Sequence, residues 1–172
     1  MKLPLENIVF IDTEFSSLNP YKGEILSIGL LKQDGSELYL ELEYEGDYDD
    51  WVKENLLHTL TGNKVDRQQA ADMIINFVGN GKPYMVAFVN QFDTLYLHKL
   101  LGGVQNSPFY WIPIDFASIL FAYGYNPELY HKLDAKFFNK LNINPKKYKQ
   151  HNALDDARLL KDTYLAMASD GY

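Results

Sequence analysis

Residues 8–14 of the chain, IVFIDTE, form an apolar run that ends in two acidic residues. The run Ile8-Val9-Phe10-Ile11 is apolar on both faces, which is typical of a central buried strand. Side chains alternate between the faces of a strand, so Asp12 and Glu14 point the same way. Neighbouring carboxylates repel each other and are costly to bury unless a positive group lies between them. The stretch therefore predicts a divalent metal site, because hard cations prefer oxygen ligands; the alternative is an acidic pair that faces water.

The rest of the chain shows strand patterns first and then alternating helices and strands. Strands are predicted at 6–14, 24–32 and 36–43, with a hairpin turn at Asp34-Gly35, and at 84–89 and 109–114. Helices are predicted at 48–60, 67–78, 92–101, 115–123, 132–141 and 152–168. Three antiparallel strands followed by two strand–helix units predict an α/β fold, a five-stranded mixed sheet flanked by helices. We expect residues 1–172 to form a single domain.

The composition excludes several classes of protein. The chain has 172 residues, a net charge of −7 and no cysteine. Disulfides, thiolate nucleophiles and cysteine-ligated zinc are therefore excluded. No apolar run approaches the roughly 18 residues that a membrane span needs, and no secretory signal is visible, so a cytoplasmic location is expected. The negative charge argues against a protein that coats polynucleotides, but it is compatible with a nuclease, because bound metal ions reverse the sign locally.

Two later segments carry the other acidic candidates. Asp93 follows a short strand and opens a helix, where an Asp can simply favour the positive end of the helix dipole. In residues 151–158, HNALDDAR, Asn152 is a good N-cap with Asp155 three residues later, as in a capping box. Asp156 falls on the inward face of the amphipathic helix, where a carboxylate needs a partner. We choose Asp156 over Asp155 as the metal ligand; an ion pair with a lysine at the helix edge is the alternative.

The order and spacing of these segments resemble the three motifs of the DEDDh exonucleases. The matching residues are Asp12-x-Glu14, Phe92-Asp93 and His151-x-Ala153-x-x-Asp156, and the resemblance covers nearly the whole chain. It implies a ribonuclease H-like fold and a metal-dependent 3′-to-5′ exonuclease. It also implies that two Mg²⁺ or Mn²⁺ ions are held by Asp12, Glu14, Asp93 and Asp156, with His151 as the general base. Family members often carry His-Asn-Ala before the second motif, whereas residues 88–90 here are Phe-Val-Asn.

Residues near the acidic segments are the candidates for binding the substrate. Phe15 follows Glu14 and could stack on the terminal base, although a core position is the alternative. Lys149 belongs to a lysine-rich segment before His151 and is a candidate for a phosphate contact, as are Lys132, Lys136 and Lys140, unless these lysines only form a solvated face. Thr13 and Asn90, neighbours of the acidic residues, complete the predicted set. The other histidines, His58, His98 and His131, are expected to be surface or core residues.

The predicted reaction is the hydrolysis of nucleotides from the 3′ end of a single strand or a 3′ overhang, to give 5′-monophosphates. RNA is favoured because the short chain and its D-T-E-F start are similar to a compact bacterial exoribonuclease branch. Discrimination depends on a contact to the 2′-hydroxyl, so a DNA-directed exonuclease is an alternative. A catalytically silent nucleic-acid-binding module of the same fold is another. The expected partner is nucleic acid and not a membrane, and a homodimer is left open.

Overall fold

The computed structural model describes residues 3–169 and contains one mixed sheet. Its strands are β1 (Ile8–Phe15), β2 (Ile25–Lys32), β3 (Glu37–Leu42), β4 (Lys64–Val65), β5 (Tyr84–Ala87) and β6 (Ile114–Asp115), in the order β4-β3-β2-β1-β5-β6 across the sheet. Strands β1, β2 and β3 are antiparallel neighbours. Strand β5 runs parallel to β1, β6 parallel to β5, and β4 parallel to β3. The apolar run of residues 8–11 thus lies in the centre of the sheet, as predicted.

Helices cover both faces of this sheet. They are α1 (Asp50–Asn55), α2 (Arg67–Val78), α3 (Gln91–Leu100), α4 (Phe116–Ala122), α5 (Glu128–His131), α6 (Ala135–Lys140) and α7 (Ala153–Ser169). One core lies under α2 and α3 and includes Ile74 and Leu97. A second core lies under α4 to α7 on the opposite face and includes Phe116 and Leu160. Between residues 3 and 169, no helix has the length and apolarity required to cross a membrane.

Strand β1 contributes to both cores, because its side chains alternate between the two faces. Val9 and Ile11 belong to the core under α2 and α3, whereas Ile8 and Phe10 belong to the core under α4 to α7. Continued along the strand, this alternation directs Asp12 and Glu14 toward α7. It directs Thr13 and Phe15 toward α3. The alternation of side chains along β1 therefore decides whether each of these residues faces α7 or α3.

The sheet has six strands, one more than the five that the sequence predicted. Strand β4 has two residues and is paired with the end of β3, so it has no periodic pattern of its own that a sequence could reveal. The strand predicted at 109–114 is also wrong in extent, because β6 comprises only Ile114–Asp115. Residues 110–112 are exposed, and Pro108 and Pro113, which lack a backbone N–H, flank the segment.

Two predicted helices are shorter in the structure. The helix predicted at 48–60 is α1 followed by a separate 3₁₀ turn at Leu57–Thr59. The helix predicted at 132–141 begins only at α6, because Leu133 has a φ of 51° and Asp134 caps the new helix by accepting a hydrogen bond from the Phe137 N–H at 2.9 Å. Lys132 therefore lies outside the helix that carries Lys136 and Lys140, and the three lysines do not form one helical stripe.

Candidate active site

Three carboxylates converge at the end of β1. Asp12, Glu14 and Asp156 each place one carboxylate oxygen within 4.8 Å of the others. Among the described residues 3–169, no other group of three or more histidine, aspartate and glutamate side chains meets this spacing. Two of the three come from the face of β1 that is directed toward α7, and the third comes from the first turn of α7. Three oxygen donors at this spacing fit Mg²⁺ or Mn²⁺, since both are hard cations.

The start of α7 is fixed by its cap. The Asn152 side chain accepts a hydrogen bond from the Asp155 N–H at 3.1 Å, which confirms the predicted N-cap. Asp155 turns away from the cluster, and its carboxylate accepts hydrogen bonds from Arg158 at 2.6 Å and from the Lys149 N–H at 3.0 Å. The structure therefore places Asp156 in the acidic cluster and Asp155 outside it.

Asp93 lies close to this cluster but on the other side of β1. It belongs to the first turn of α3, and its carboxylate accepts a hydrogen bond of 2.6 Å from the Thr13 hydroxyl. Thr13 faces α3 because it occupies the odd position between Asp12 and Glu14. Asp93 is accordingly absent from the 4.8 Å group, although its charge still raises the pKa of both β1 carboxyls. Its support of a second metal ion stays a prediction.

Burial and mutual repulsion make full ionisation of the four carboxyls unfavourable. Burial, followed by repulsion from the other three acidic groups, raises the pKa of Asp12 well above its ordinary range. The same two causes raise the pKa of Glu14 to about 8. Burial raises the pKa of Asp93 and of Asp156 to about 7. A divalent cation relieves this cost by neutralising the ionised oxygens, so the donor set fits a metal ion.

His151 stands beside the cluster on the loop before α7. Its Nδ1 lies 3.9 Å from Glu14 Oε1, and its ring meets the Trp51 ring edge-on with 5.1 Å between centroids. Burial, with smaller contributions from His131 and His58, lowers the pKa of the His151 imidazole. A lowered pKa keeps the imidazole neutral near pH 7, which a proton acceptor requires.

A cleft surrounds the cluster, and several of its walls were not predicted from the sequence. Besides the acidic residues and His151, its lining includes Phe88, Leu133, the buried Tyr130 and the exposed His131. His131 was expected to be an ordinary surface or core residue, yet it lines the rim of the cleft. Helix α5, which carries Tyr130 and His131, has four residues, too few for a hydrophobic period to mark its inward face.

The predicted substrate-binding residues lie in different surroundings. Thr13 borders the cleft although its hydroxyl is bonded to Asp93 on the α3 side, and Lys149 is exposed and precedes Gln150, which lines the cleft. The Phe15 ring stacks on the Tyr96 ring at 4.2 Å between centroids, in the core under α3. Asn90 is buried, and its side chain donates to the Ile114 carbonyl at 2.8 Å, which ties the start of α3 to β6. Substrate contacts by these residues stay predictions.

Comparisons with known proteins place the fold. No family model and no curated protein matches the sequence. The fold is similar to that of E. coli ExoI. The match is to the zinc-bound crystal structure of the ExoI–ssDNA complex, with a TM-score of 0.60 and 13% identity, over 94% of this chain and 39% of the ExoI chain. A chain in the crystal structure of the yeast NOT1 MIF4G domain with CAF1 matches with a TM-score of 0.58 and 12% identity, over 95% of this chain and 79% of that one.

These identities establish the fold alone. The protein spans well under half the length of the ExoI chain. Both matches cover nearly all of the present chain, so the sheet and the helices on both of its faces take part in the similarity.

We predict that Mg²⁺ stabilises the protein more at alkaline than at acidic pH. The folded pKa values of about 7 to about 8 exceed the unfolded values near 4. The stability that these carboxyls contribute is therefore complete below about pH 4 and is lost as the pH rises through about 7 to 8. Mg²⁺ binds the ionised forms and restores stability in that range.

Differential scanning fluorimetry across this pH range, with Mg²⁺ and with EDTA, measures the effect. In EDTA the melting temperature should fall as the pH rises, and the two curves should diverge toward alkaline pH. Curves that stay parallel at every pH would contradict a metal site made of these carboxyls.

Proposed function

We propose that the protein is a metal-dependent 3′-to-5′ exonuclease with a ribonuclease H-like fold of the DEDDh type. The observation that carries the proposal is the convergence of Asp12, Glu14 and Asp156 within 4.8 Å, with His151 beside Glu14. The similarity of the fold to a structure that contains bound ssDNA supports nucleic acid as the substrate. The donor set supports Mg²⁺ or Mn²⁺ as the cofactor.

The four acidic residues are the proposed ligands of the metal ions. Asp12, Glu14 and Asp156 would hold the metal together, and Asp93, which accepts a hydrogen bond from Thr13, would support a second ion from the α3 side. The ions supply charge neutralisation for the attacking water and for the leaving 3′-oxygen.

His151 moves the proton in this mechanism. Its neutral imidazole accepts a proton from the attacking water as the new P–O bond forms, the bond to the 3′-oxygen breaks, and the leaving 3′-oxygen takes a proton from solvent to become a hydroxyl. The proton is released to solvent afterwards, because the imidazole lies at the partly exposed edge of the cleft. The products are a 5′-mononucleotide and a strand that is shorter by one residue.

A cleavage assay tests the function. Single-stranded RNA and DNA of the same sequence, labelled at the 5′ end, are incubated with the protein and Mg²⁺ or Mn²⁺, with EDTA as control, and resolved on a sequencing gel. A 5′-labelled ladder that shortens from the 3′ end, with 5′-monophosphates released from a parallel substrate labelled at its internal phosphates, supports the proposal, and we expect RNA to be cut faster than DNA. Internal cuts exclude an exonuclease. Intact RNA and DNA would favour the silent binding module.

We predict that His151→Ala lowers kcat by about 100- to 10,000-fold, the usual range for losing a general base, while Mg²⁺ affinity changes little. The carboxylates that hold the metal are untouched by this change. Cleavage rates and calorimetric Mg²⁺ titrations measure the two effects. His98→Ala, which removes a histidine of α3 that lies outside the cleft, is the matched control and should retain full activity. Loss of Mg²⁺ binding in His151→Ala would make His151 a ligand instead.

A further inference from the structure

Glu41 is a buried carboxylate outside the acidic cluster, with 2% of its surface exposed. One oxygen accepts hydrogen bonds from the Tyr39 hydroxyl at 2.9 Å and from the Thr61 N–H at 3.1 Å, and the other accepts from the Gly62 N–H at 2.9 Å. A buried carboxylate is tolerated only when such bonds satisfy it. Two of the three donors are backbone groups, so Glu41 binds the segment 61–62 to strand β3.

The segment fits closely around this carboxylate. A Cβ atom at Gly62 would lie 3.1 Å from a Glu41 oxygen, so the absence of a side chain lets the backbone approach. Two residues after Gly62, Lys64 pairs with Glu41 in the register of β3 and β4. The chain is thereby fixed to β3 immediately C-terminal to the 3₁₀ turn at Leu57–Thr59.

Thr59, the last residue of that turn, connects it to the loop before α7. The side chain is buried, and its hydroxyl lies 2.9 Å from the His151 carbonyl and 2.8 Å from the Leu56 carbonyl, which share its one proton. Leu56, directly before the turn, is fully buried in a small core with Leu26, so packing holds the turn in place. The Thr59 hydroxyl thus joins a fixed turn to the backbone of the residue that carries the proposed base.

The backbone decides where the His151 imidazole lies. His151 has a φ of 58°, in the left-handed region that costs a non-glycine residue free energy unless its surroundings hold it. The side chain is 41% exposed, and the contacts described for it are the edge of Trp51 and Glu14 at 3.9 Å. These contacts are weak, so the ring depends on the His151 backbone, which the Thr59 hydroxyl holds at the carbonyl and which also donates a hydrogen bond to the Asp156 carboxylate.

We propose that Glu41 and Thr59 are positioning residues that act as one latch on His151. Glu41 holds residues 61–62, these fix the turn that ends at Thr59, and Thr59 holds the His151 carbonyl. The inference rests on the proposed function, in which His151 is the base. Neither latch residue belongs to the acidic cluster, so its loss displaces the base and reaches the metal ligands only through the backbone hydrogen bond from His151 to the Asp156 carboxylate.

The test uses isosteric changes in the full chain. Thr59→Val removes the hydroxyl and Glu41→Gln replaces an acceptor by a donor that faces an N–H. Each should lower kcat by about 10- to 100-fold, because a displacement of about 1 Å in a catalytic group can cost about 100-fold. KM and Mg²⁺ affinity should stay within about twofold. Thr59→Ser keeps the hydroxyl and should restore kcat. The loss of kcat in the double variant should be no larger than the loss in the less active of the two single variants, because both changes release the same latch.

A second measurement does not depend on nuclease activity. The Cε1–H signal of His151 in the NMR spectrum should shift in Thr59→Val and in Glu41→Gln and return to its place in Thr59→Ser. Wild-type protein that cuts neither RNA nor DNA would refute the proposed function, while this signal would still test the latch. The matched control is Thr163→Val, which removes another buried hydroxyl, bonded to the Leu159 carbonyl at 2.7 Å within α7, and should leave kcat unchanged.

Three results would overturn the latch. The first is wild-type kcat with an unshifted His151 signal in both single variants. The second is a Thr59→Ser variant that behaves like Thr59→Val. The third is a double variant whose loss is the product of the two single losses, since independent sites combine in that way.

Discussion

The Asp12→Asn variant is expected to lose hydrolysis and, in the absence of metal, to melt at a higher temperature than the wild type. Asp12 lies beside Glu14 and Asp156, and one carboxylate oxygen of each of the three residues lies within 4.8 Å of the others. An amide keeps the shape of the side chain but removes the negative charge that holds a divalent ion. Because the ions supply several kcal/mol of charge stabilisation, and each 1.4 kcal/mol is tenfold in rate, activity should fall by about a thousandfold or more.

The gain in stability has the same cause as the loss of activity. Burial and three neighbouring acidic groups raise the pKa of Asp12, so its ionised form is a cost that the metal-free fold bears. A neutral amide removes that cost and the repulsion felt by Glu14. The gain should be larger at alkaline pH, where the neighbouring carboxyls are ionised, and it should disappear when Mg²⁺ is added, because only the wild type is stabilised by the ion.

Gel assays measure the loss of hydrolysis, and scanning fluorimetry in EDTA and in Mg²⁺ measures the change in melting temperature. Asp72→Asn is the matched control, since Asp72 is exposed on α2 and accepts a hydrogen bond from Gln68 on its own helix. This control should keep the activity and the Mg²⁺ response of the wild type. An Asp12→Asn variant that cuts RNA at the wild-type rate is incompatible with the proposed mechanism.

The parts of the fold and site that the sequence predicted have strong local signals. The centre of the sheet followed from the apolar run before Asp12, and the register of β1 followed from the two-residue period of a strand. The start of α7 followed from Asn152 as N-cap, and the inward position of Asp156 followed from the helical period. In each case residues close in the sequence determine the structure.

The parts that the sequence could not predict depend on distant contacts. Strand β4 exists because it pairs with β3, and two residues carry no period. Asp93 meets Thr13 and not the three clustered carboxylates, because α3 packs on the opposite face of β1. The hydrogen bond from the Thr59 hydroxyl to the His151 carbonyl joins residues 92 positions apart, and the sequence pattern of neither segment predicts it.

Gly29→Ala is expected to destabilise the protein and to disrupt the metal site, although Gly29 is neither acidic nor part of the cleft. Gly29 is the register partner of Asp12 on strand β2, so both residues face α7. A Cβ atom at this position would lie 2.4 Å from the Ala153 carbonyl oxygen and 2.5 Å from the Leu154 Cα. Both atoms are backbone, so the clash cannot be relieved by the rotation of a side chain.

The only relief is to move the start of α7 away from the sheet, and that turn carries Asp156 and follows His151 directly. Overpacking of this kind costs roughly 1–3 kcal/mol, so the melting temperature should fall. The stabilisation by Mg²⁺ and the nuclease activity should fall with it, since the distance from Asp156 to Asp12 increases. Gly81→Ala is the matched control, because its Cβ atom would have Asn7 Oδ1 at 3.5 Å, an ordinary contact.

Scanning fluorimetry with and without Mg²⁺ separates loss of the site from loss of the fold. A Gly29→Ala variant that still melts cooperatively but has lost its Mg²⁺ response would show that the distance between β2 and α7 sets the geometry of the acidic cluster. A variant with the melting temperature and Mg²⁺ response of Gly81→Ala would show that α7 does not rest on Gly29. In that case some other contact would have to hold Asp156 against β1.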